Sequence, residues 1–158
     1  MSIHYEFEQD AQSVFNLLTD PQFLVDRCLE LGELEASCDV EERGDSTVIV
    51  LTRKVEQDLP RFFAKVFDPV QTIHMTETWQ PDDSGGFAGE YTFVIQGQPI
   101  SISATFELFP TDNGCCYVID HRVKAKVPVI GGRIEKYIQG QAAEGCVSEL
   151  EYAQQSLA

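Results

Sequence analysis

Three ionisable side chains, Glu77, His121 and Glu149, occupy positions that the surrounding sequence pattern assigns to apolar residues. Glu77 has the same parity as Met75 and Trp79 along a predicted strand, which places it on the buried face of that strand. The same reasoning places His121 inward on a later strand and Glu149 on the apolar side of the final helix. A carboxyl group buried without a partner has its pKa raised by up to ~3–5 units, which suits it to general acid or base catalysis. If the three groups converge, they could transfer protons in a cyclase-type, hydratase-type or hydrolase-type reaction.

Each of the three groups also has a structural explanation. Glu77 is able to pair across the sheet with a neighbouring Tyr or Arg, and His121 fits a hydrogen-bonded histidine of the core. Glu149 comes late in its helix, where the apolar stripe can extend beyond the edge of the sheet, so we expect its side chain to face solvent. These explanations are simpler than catalysis, and the sequence assigns no catalytic residue.

The elements that carry these side chains are predicted from the spacing of the apolar residues. Asp10 is expected to cap one short helix and Asp20 a second, both after the first strand. A further helical segment is predicted for residues 61–67. Residues 48–51 are apolar on both faces of their strand, so the pattern does not identify which face is buried. The predicted strands cover residues 3–7, 34–40, 47–55, 70–79, 91–95, 100–108 and 115–127.

The longest helical pattern closes the sequence, after a turn at Gly131 and Gly132. Because almost everything before this helix is predicted to be strand, its apolar stripe is expected to pack on a sheet. The predicted fold is therefore α+β: a curved antiparallel sheet of about seven strands wrapped around a long C-terminal helix, with two short helices after the first strand, in one domain of residues 1–158. The stripe consists of Ile134, Ile138, Ala142, Gly145, Cys146, Leu150 and Ala153.

Charge and composition limit the classes of partner. The chain has 26 acidic and 11 basic residues and a formal net charge of -15, so we expect no nucleic-acid partner. No apolar run approaches the ~18 residues that a membrane span needs, and the first residues lack the basic start and apolar centre of a signal peptide. We therefore expect no membrane insertion and a cytoplasmic location. Nothing in the sequence indicates an oligomeric state.

The cysteines and histidines show no pattern typical of a metal or cofactor site. The five cysteines form no C-x-x-C pair, which fits reduced thiols that fill apolar space. There is also no nucleophile-elbow, phosphate-loop or dinucleotide-binding motif. No metal and no cofactor are predicted. The cysteines are Cys28, Cys38, Cys115, Cys116 and Cys146.

The order of elements resembles the helix-grip fold of the START-like (SRPBCC) superfamily, which includes pollen-allergen-like proteins, lipid-transfer domains, polyketide cyclases and aromatases. Three motifs are also similar to those of a bacterial subgroup of unknown function. Their prolines, glycines and tryptophan suit strand ends, turns and core, so the resemblance implies the fold and an apolar pocket, with no shared catalytic set. The motifs are Thr76-Glu77-Thr78-Trp79, Pro99-Ile100-Ser101-Ile102-Ser103 and Val127-Pro128-Val129-Ile130-Gly131-Gly132-Arg133-Ile134-Glu135.

The function predicted from these features is the binding of a small hydrophobic molecule, lipid-like or polyketide-like, between the C-terminal helix and the sheet. One alternative is an enzyme in the same cavity that uses His121 with Glu77 or Glu149. Another is a protein-interaction module that binds through the rings of Phe62, Phe63 and Phe67, if these are exposed to solvent. The expected walls of the cavity are Tyr91, Phe93, Ile102, Tyr117, Ile138 and Ala142.

Overall fold

A computed structural model describes residues 2–65 and 67–158 and confirms the predicted α+β fold. Seven strands form one sheet, two short helices follow the first strand, and one long helix ends the chain. The elements are β1 (Ser2–Phe7), α1 (Ala11–Leu18), α2 (Pro21–Glu30), β2 (Glu35–Arg43), β3 (Ser46–Glu56), α3 (Arg61–Ala64), β4 (Val70–Pro81), β5 (Phe87–Ile95), β6 (Ile100–Thr111), β7 (Gly114–Ala125) and α4 (Gly131–Leu157).

The sheet is antiparallel throughout, with the strand order β1-β7-β6-β5-β4-β3-β2. Strands β2 to β7 follow one another as a meander, and β1 pairs with β7 at the far edge. Helices α1 and α2 therefore carry the chain from one edge of the sheet to the other. Helix α4 packs on β7 and β1, which leaves space between it and the strands on the opposite side.

The two short helices begin where their caps were predicted. The backbone N–H of Ser13 donates to Oδ1 of Asp10 at 2.7 Å. The backbone N–H groups of Gln22 and Phe23 donate to Oδ1 of Asp20 at 2.9 and 3.1 Å. Both carboxylates thus satisfy N–H groups that have no partner within the first turn of a helix. None of the helices in the two described ranges is long and apolar enough to span a membrane.

The buried face of β3 is decided by its pairing with β4. Leu51 lies opposite Met75, and Ile49 lies opposite Glu77. Because facing residues of paired strands point to the same side of a sheet, Ile49 and Leu51 are buried together with the inward row of β4. Arg53 has the same parity and also points inward, a placement that matters for the cavity.

Several predicted boundaries were wrong; for example, β5 begins at Phe87 rather than at residue 91. Helix α3 ends at Ala64 rather than at residue 67, and Val66 lies outside the described residues. Strand β7 ends at Ala125, and a tight turn leads into α4, with Val129 at a φ of 70°. A β-branched residue is costly in this left-handed region. The turn predicted at Gly131 and Gly132 lies at residues 128–130 instead, and the two glycines begin α4.

The core consists of two clusters of buried side chains. The larger one surrounds Trp79, whose indole packs against Phe15, Phe106 and Tyr117 at ring distances of 5.5, 4.6 and 6.3 Å. The smaller one joins α3 to the start of α4 and to β6 through Phe63, Ile134 and Ile100. These clusters fix the two ends of the space under α4.

Gly140 lies in the middle of α4, and no heavy atom lies within 4 Å of the position that a Cβ would occupy. Gly140→Ala is expected to raise the free energy of unfolding by about 0.5–1 kcal/mol, because alanine loses less backbone entropy on forming a helix. Urea titration followed by circular dichroism measures this change. As a control, Gly89→Ala must destabilise, since its Cβ would collide with the carbonyl oxygen of Thr78. A loss of stability in Gly140→Ala would contradict an open position.

Candidate functional site

A cavity of about 440 Å³ lies between α4 and the concave face of the sheet, within the usual size range of small-molecule sites. Exposed residues of α4, among them Gln141, Glu144 and Ser148, border it, so the cavity is open to solvent along that helix. Ile95, Tyr137 and Ile138 line it at the end formed by the smaller core cluster. The remaining apolar lining includes Leu24, Val55, Ile73, Met75, Ile119 and Leu150.

The six residues expected to form the walls all line this cavity. Three neighbouring strands and one helix supply them, because period-two alternation on β5, β6 and β7 and the stripe on α4 all point to the same space. Ligand binding by these residues stays a prediction. They are Tyr91 and Phe93 on β5, Ile102 on β6, Tyr117 on β7, and Ile138 and Ala142 on α4.

His121 lies in the same row of the sheet as Glu77 but at the other end of that row. Glu77 faces Tyr91, Tyr91 faces Ala104, and Ala104 faces His121. Three strand spacings separate the two backbones, on the order of 14 Å along the sheet. The His121 ring packs 5.8 Å from the Tyr91 ring, measured between centroids, and does not line the cavity. Burial lowers the pKa of His121, which favours a neutral core histidine.

Glu77 is a cavity residue with an altered acidity. It is 9% exposed, and its Oε2 accepts a hydrogen bond from Nε1 of Trp79 at 3.0 Å. Burial raises the pKa of Glu77 to about 7, although the Trp79 hydrogen bond and the positive charge of Arg27 act in the opposite direction. Glu77 is therefore able to exchange a proton near neutral pH.

Glu149 does not face solvent, contrary to the expectation from its late position in the helix. Its side chain is 19% exposed, and its two oxygens lie 3.2 Å from Nη2 of Arg27 and 3.2 Å from Nη1 of Arg53. Burial acts to raise the pKa of Glu149, but the two guanidinium charges outweigh burial, so the pKa lies below its ordinary value. Glu149 is thus an ionised partner of two arginines, and its low pKa makes it a poor general base.

The two arginines were missed as site residues. Arg53 also binds Glu33 through two contacts: Nε donates to Oε1 at 2.8 Å, and Nη2 contacts Oε2. Arg27, Glu33, Arg53 and Glu149 form one chain of ion pairs at the cavity, which we call the arginine network. The sequence contained a signal for Arg53, because it has the same parity as Ile49, Leu51 and Val55. The pattern of β3 did not show, however, which of its two faces is buried.

The phenylalanine segment after β3 is mainly packed against the protein. Phe63 is buried and stacks on Tyr137, with ring centroids 4.8 Å apart, and Phe67 is half-buried. Phe62 is exposed and lies under the guanidinium of Arg133, 4.4 Å from the ring centroid. One exposed ring covered by a cation gives little support to a protein-interaction surface.

The cavity offers no arrangement suited to nucleophilic or metal chemistry among its described residues. Cys146 lines it, but burial raises the pKa of this thiol to about 12, so the reactive thiolate is scarce at neutral pH. Within residues 2–65 and 67–158, no three His, Cys, Asp or Glu side chains are grouped so that they could hold a metal ion. The chemistry available to the site is hydrogen bonding and, at Glu77, proton exchange.

Comparison with known proteins yields a family and a fold. The family described as "Protein of unknown function (DUF2505)" matches residues 2–157. An uncharacterized protein from Rhizobium leguminosarum has a similar structure, with a TM-score of 0.61 and 11% identity over 98% of this chain and 91% of that one. A protein from Thermus thermophilus has a TM-score of 0.61 and 17% identity over 98% and 94% of the two chains. No curated relative matches the chain. At these identities the structural neighbours show the fold alone.

Proposed function

The chain belongs to the DUF2505 family of proteins of unknown function, and we propose from its cavity that it binds a small, largely apolar molecule between α4 and the sheet. The observation that carries this proposal is the cavity of about 440 Å³ itself, walled largely by apolar side chains of the sheet and α4. Apolar surface left accessible inside a domain is costly, and covering it with a ligand recovers hydrophobic free energy.

We further propose that the ligand is lipid-like or polyketide-like and that the family is part of the START-like superfamily. Support comes from the motifs described above and from the sheet that curves around a long terminal helix. The volume of the cavity suits one compact ligand rather than a two-chain lipid in full.

A second candidate is an enzyme that handles protons in the same cavity, and Glu77 is the observation that favours it. Its carboxyl group lines the cavity and has a pKa of about 7. The roles of the other two candidates change, since His121 lies outside the lining and Glu149 is held by two arginines. In an enzyme of this kind, Glu77 would act alone or with the tyrosines beside it.

We propose that the protein acts in the cytoplasm and without nucleic acid. All five cysteines are free thiols, as expected in a reducing compartment. The formal net charge of -15 opposes binding to polyphosphates at physiological salt.

Ala142→Trp is expected to abolish ligand binding, because the indole would fill the space between α4 and β6. The first measurement is native mass spectrometry of freshly purified protein with organic extraction of any bound compound. The second is titration with phenylnaphthylamine, an uncharged dye whose fluorescence rises in apolar surroundings. The wild-type protein should bind the dye, and Ala142→Trp should reduce its affinity at least tenfold.

Gln155→Trp is the matched control, since it adds the same indole to an exposed position of α4. It should leave dye binding unchanged, while circular dichroism shows both variants folded. If the wild-type protein carries no extractable compound and also fails to bind the dye, the ligand-binding proposal is wrong.

A further inference from the structure

The apolar cavity contains three polar groups on one side. Glu77, Tyr91 and Tyr117 line it, and Tyr117 and Glu77 are buried, at 6% and 9% exposure. Oε2 of Glu77 accepts from Trp79. Among the residues that the structure describes, neither Oε1 of Glu77 nor either tyrosine hydroxyl has a hydrogen-bond partner. These oxygens are not among the fully buried atoms, so they are accessible to a molecule in the cavity, where a polar group normally has a hydrogen-bond partner.

The three groups converge on one place. Glu77 and Tyr91 are directly opposite residues of β4 and β5. Tyr117 packs 6.3 Å from the ring of Trp79, the residue that donates to Glu77. Burial raises the pKa of both tyrosines; the charge of Glu77 is the next cause for Tyr117 and follows Cys146 and Glu149 for Tyr91, in agreement with this placement.

We propose that Glu77, Tyr91 and Tyr117 bind a single uncharged oxygen, of a carbonyl or a hydroxyl group, at one end of an otherwise apolar ligand. This inference rests on the proposed ligand-binding function and specifies the chemical class of the ligand. Two phenolic O–H groups and a protonated Glu77 are hydrogen-bond donors, and one acceptor oxygen has two lone pairs to accept from them. Arg27 is 8% exposed and lines the same cavity, and its Nε has no hydrogen-bond partner among the described residues. The two hydroxyls and the protonated carboxyl group thus offer donors to an acceptor, with the Arg27 side chain beside them in the lining.

The charges around the polar groups favour an uncharged acceptor over a carboxylate. Arg27 and Arg53 are already paired with Glu149, and Arg53 is also paired with Glu33. The two positive charges are therefore balanced by two negative ones, and no other cation is present among the described residues of the cavity lining. The negative charge of Glu149 would repel a carboxylate at this place, and a carboxylate would also oppose any ionisation of Glu77.

Three compounds with the same aromatic body test the proposal: naphthalene, acetylnaphthalene and naphthoate. On this body naphthalene carries no substituent, acetylnaphthalene carries an uncharged carbonyl with a methyl group, and naphthoate carries a carboxylate of similar size. Their affinities are measured by displacement of phenylnaphthylamine from the wild-type protein. Acetylnaphthalene is expected to bind roughly tenfold more tightly than naphthalene, the gain expected from buried hydrogen bonds to one oxygen, and naphthoate should bind more weakly than acetylnaphthalene.

The double variant Tyr91→Phe, Tyr117→Phe removes both hydroxyls and keeps both rings. It should bind naphthalene as the wild-type protein does and lose most of the preference for acetylnaphthalene. Tyr152→Phe, on α4 and outside the cavity lining, is the matched control and should keep the preference. Equal affinities of the wild-type protein for naphthalene and acetylnaphthalene would overturn this inference while leaving ligand binding intact. Tightest binding of naphthoate would overturn the uncharged assignment, and failure of all three compounds would overturn the proposed function as well.

Discussion

Glu149→Gln is expected to lower the free energy of unfolding by about 3 kcal/mol, because it removes the charge that Arg27 and Arg53 share. Breaking a buried ion pair on one side typically costs ~3–5 kcal/mol, since the remaining charge keeps its desolvation cost. We expect the lower end of that range because the cavity admits water to Glu149, which is 19% exposed. Urea unfolding at neutral pH, followed by circular dichroism, measures the change.

The control for this variant is Glu41→Gln, which removes a carboxylate from an ion pair in the hairpin between β2 and β3. Arg43 and Glu41 are 65% and 63% exposed, and exposed pairs contribute little. The unfolding midpoint of Glu41→Gln should therefore match that of the wild-type protein. If Glu149→Gln behaves in the same way, the arginine network does not stabilise the fold.

The pKa of Glu149 also determines how its contribution to the free energy of unfolding changes as the pH falls. The pKa in the folded protein lies below the ordinary value of 4.5. The contribution of Glu149 to stability is therefore fully present above pH 4.5 and is lost as the pH falls through the lower folded value. Below that pH, Glu149→Gln and the wild-type protein should approach equal stability.

Glu77→Gln is expected to gain about 3 kcal/mol of stability relative to the wild-type protein between about pH 4.5 and about pH 8. The pKa of Glu77 is raised from 4.5 in the unfolded chain to about 7 in the folded protein. A raised pKa of an acid means that the folded state favours the neutral form, so this contribution is fully present below pH 4.5 and lost as the pH rises through 7. Glutamine does not titrate. The difference between the unfolding free energies of the two proteins, plotted against pH, therefore isolates the contribution of Glu77.

The measurement is the free energy of unfolding of both proteins in urea across that pH range. The polar groups around Glu77 include Trp79 on its own strand, Tyr91 on β5, Tyr117 on β7, Arg27 on α2 and Glu149 on α4. Over this range Glu149 is already ionised and both tyrosines stay neutral, so none of these groups mimics the effect. Parallel curves for wild-type and Glu77→Gln would show that Glu77 stays ionised and would remove it as a proton-exchanging group.

The pKa values of Glu77 and Glu149 shift in opposite directions because the two carboxyl groups, although both buried, have different charged neighbours. Both carboxyl groups are taken out of bulk water by the same cavity, which acts to raise the pKa of each. Glu149 receives two guanidinium groups, each at 3.2 Å, whereas Glu77 receives one indole N–H and the charge of Arg27, with which it forms no ion pair. The cavity therefore has a permanently charged part at the arginine network and a neutral, titratable part at Glu77.

The sequence by itself determined the elements and which side chains share a face. Period-two alternation placed Glu77 and His121 inward, both of which are buried. Together with the helical stripe of α4, it identified six residues that line one cavity. The capping residues Asp10 and Asp20 located the short helices. These are local properties, since the parity of a strand and the first turn of a helix depend on residues close in the chain.

Only the tertiary structure decided which of the inward groups meet. The alternation of residues along one strand does not reveal that Ala104 and Tyr91 separate His121 from Glu77, because the order and register of four strands set that spacing. It also could not bring Arg27 and Arg53 to Glu149, since α2, β3 and α4 meet there from distant parts of the chain. Burial and pKa depend on what lies opposite a side chain, and the sequence pattern of one element does not contain the charges of the elements that pack against it.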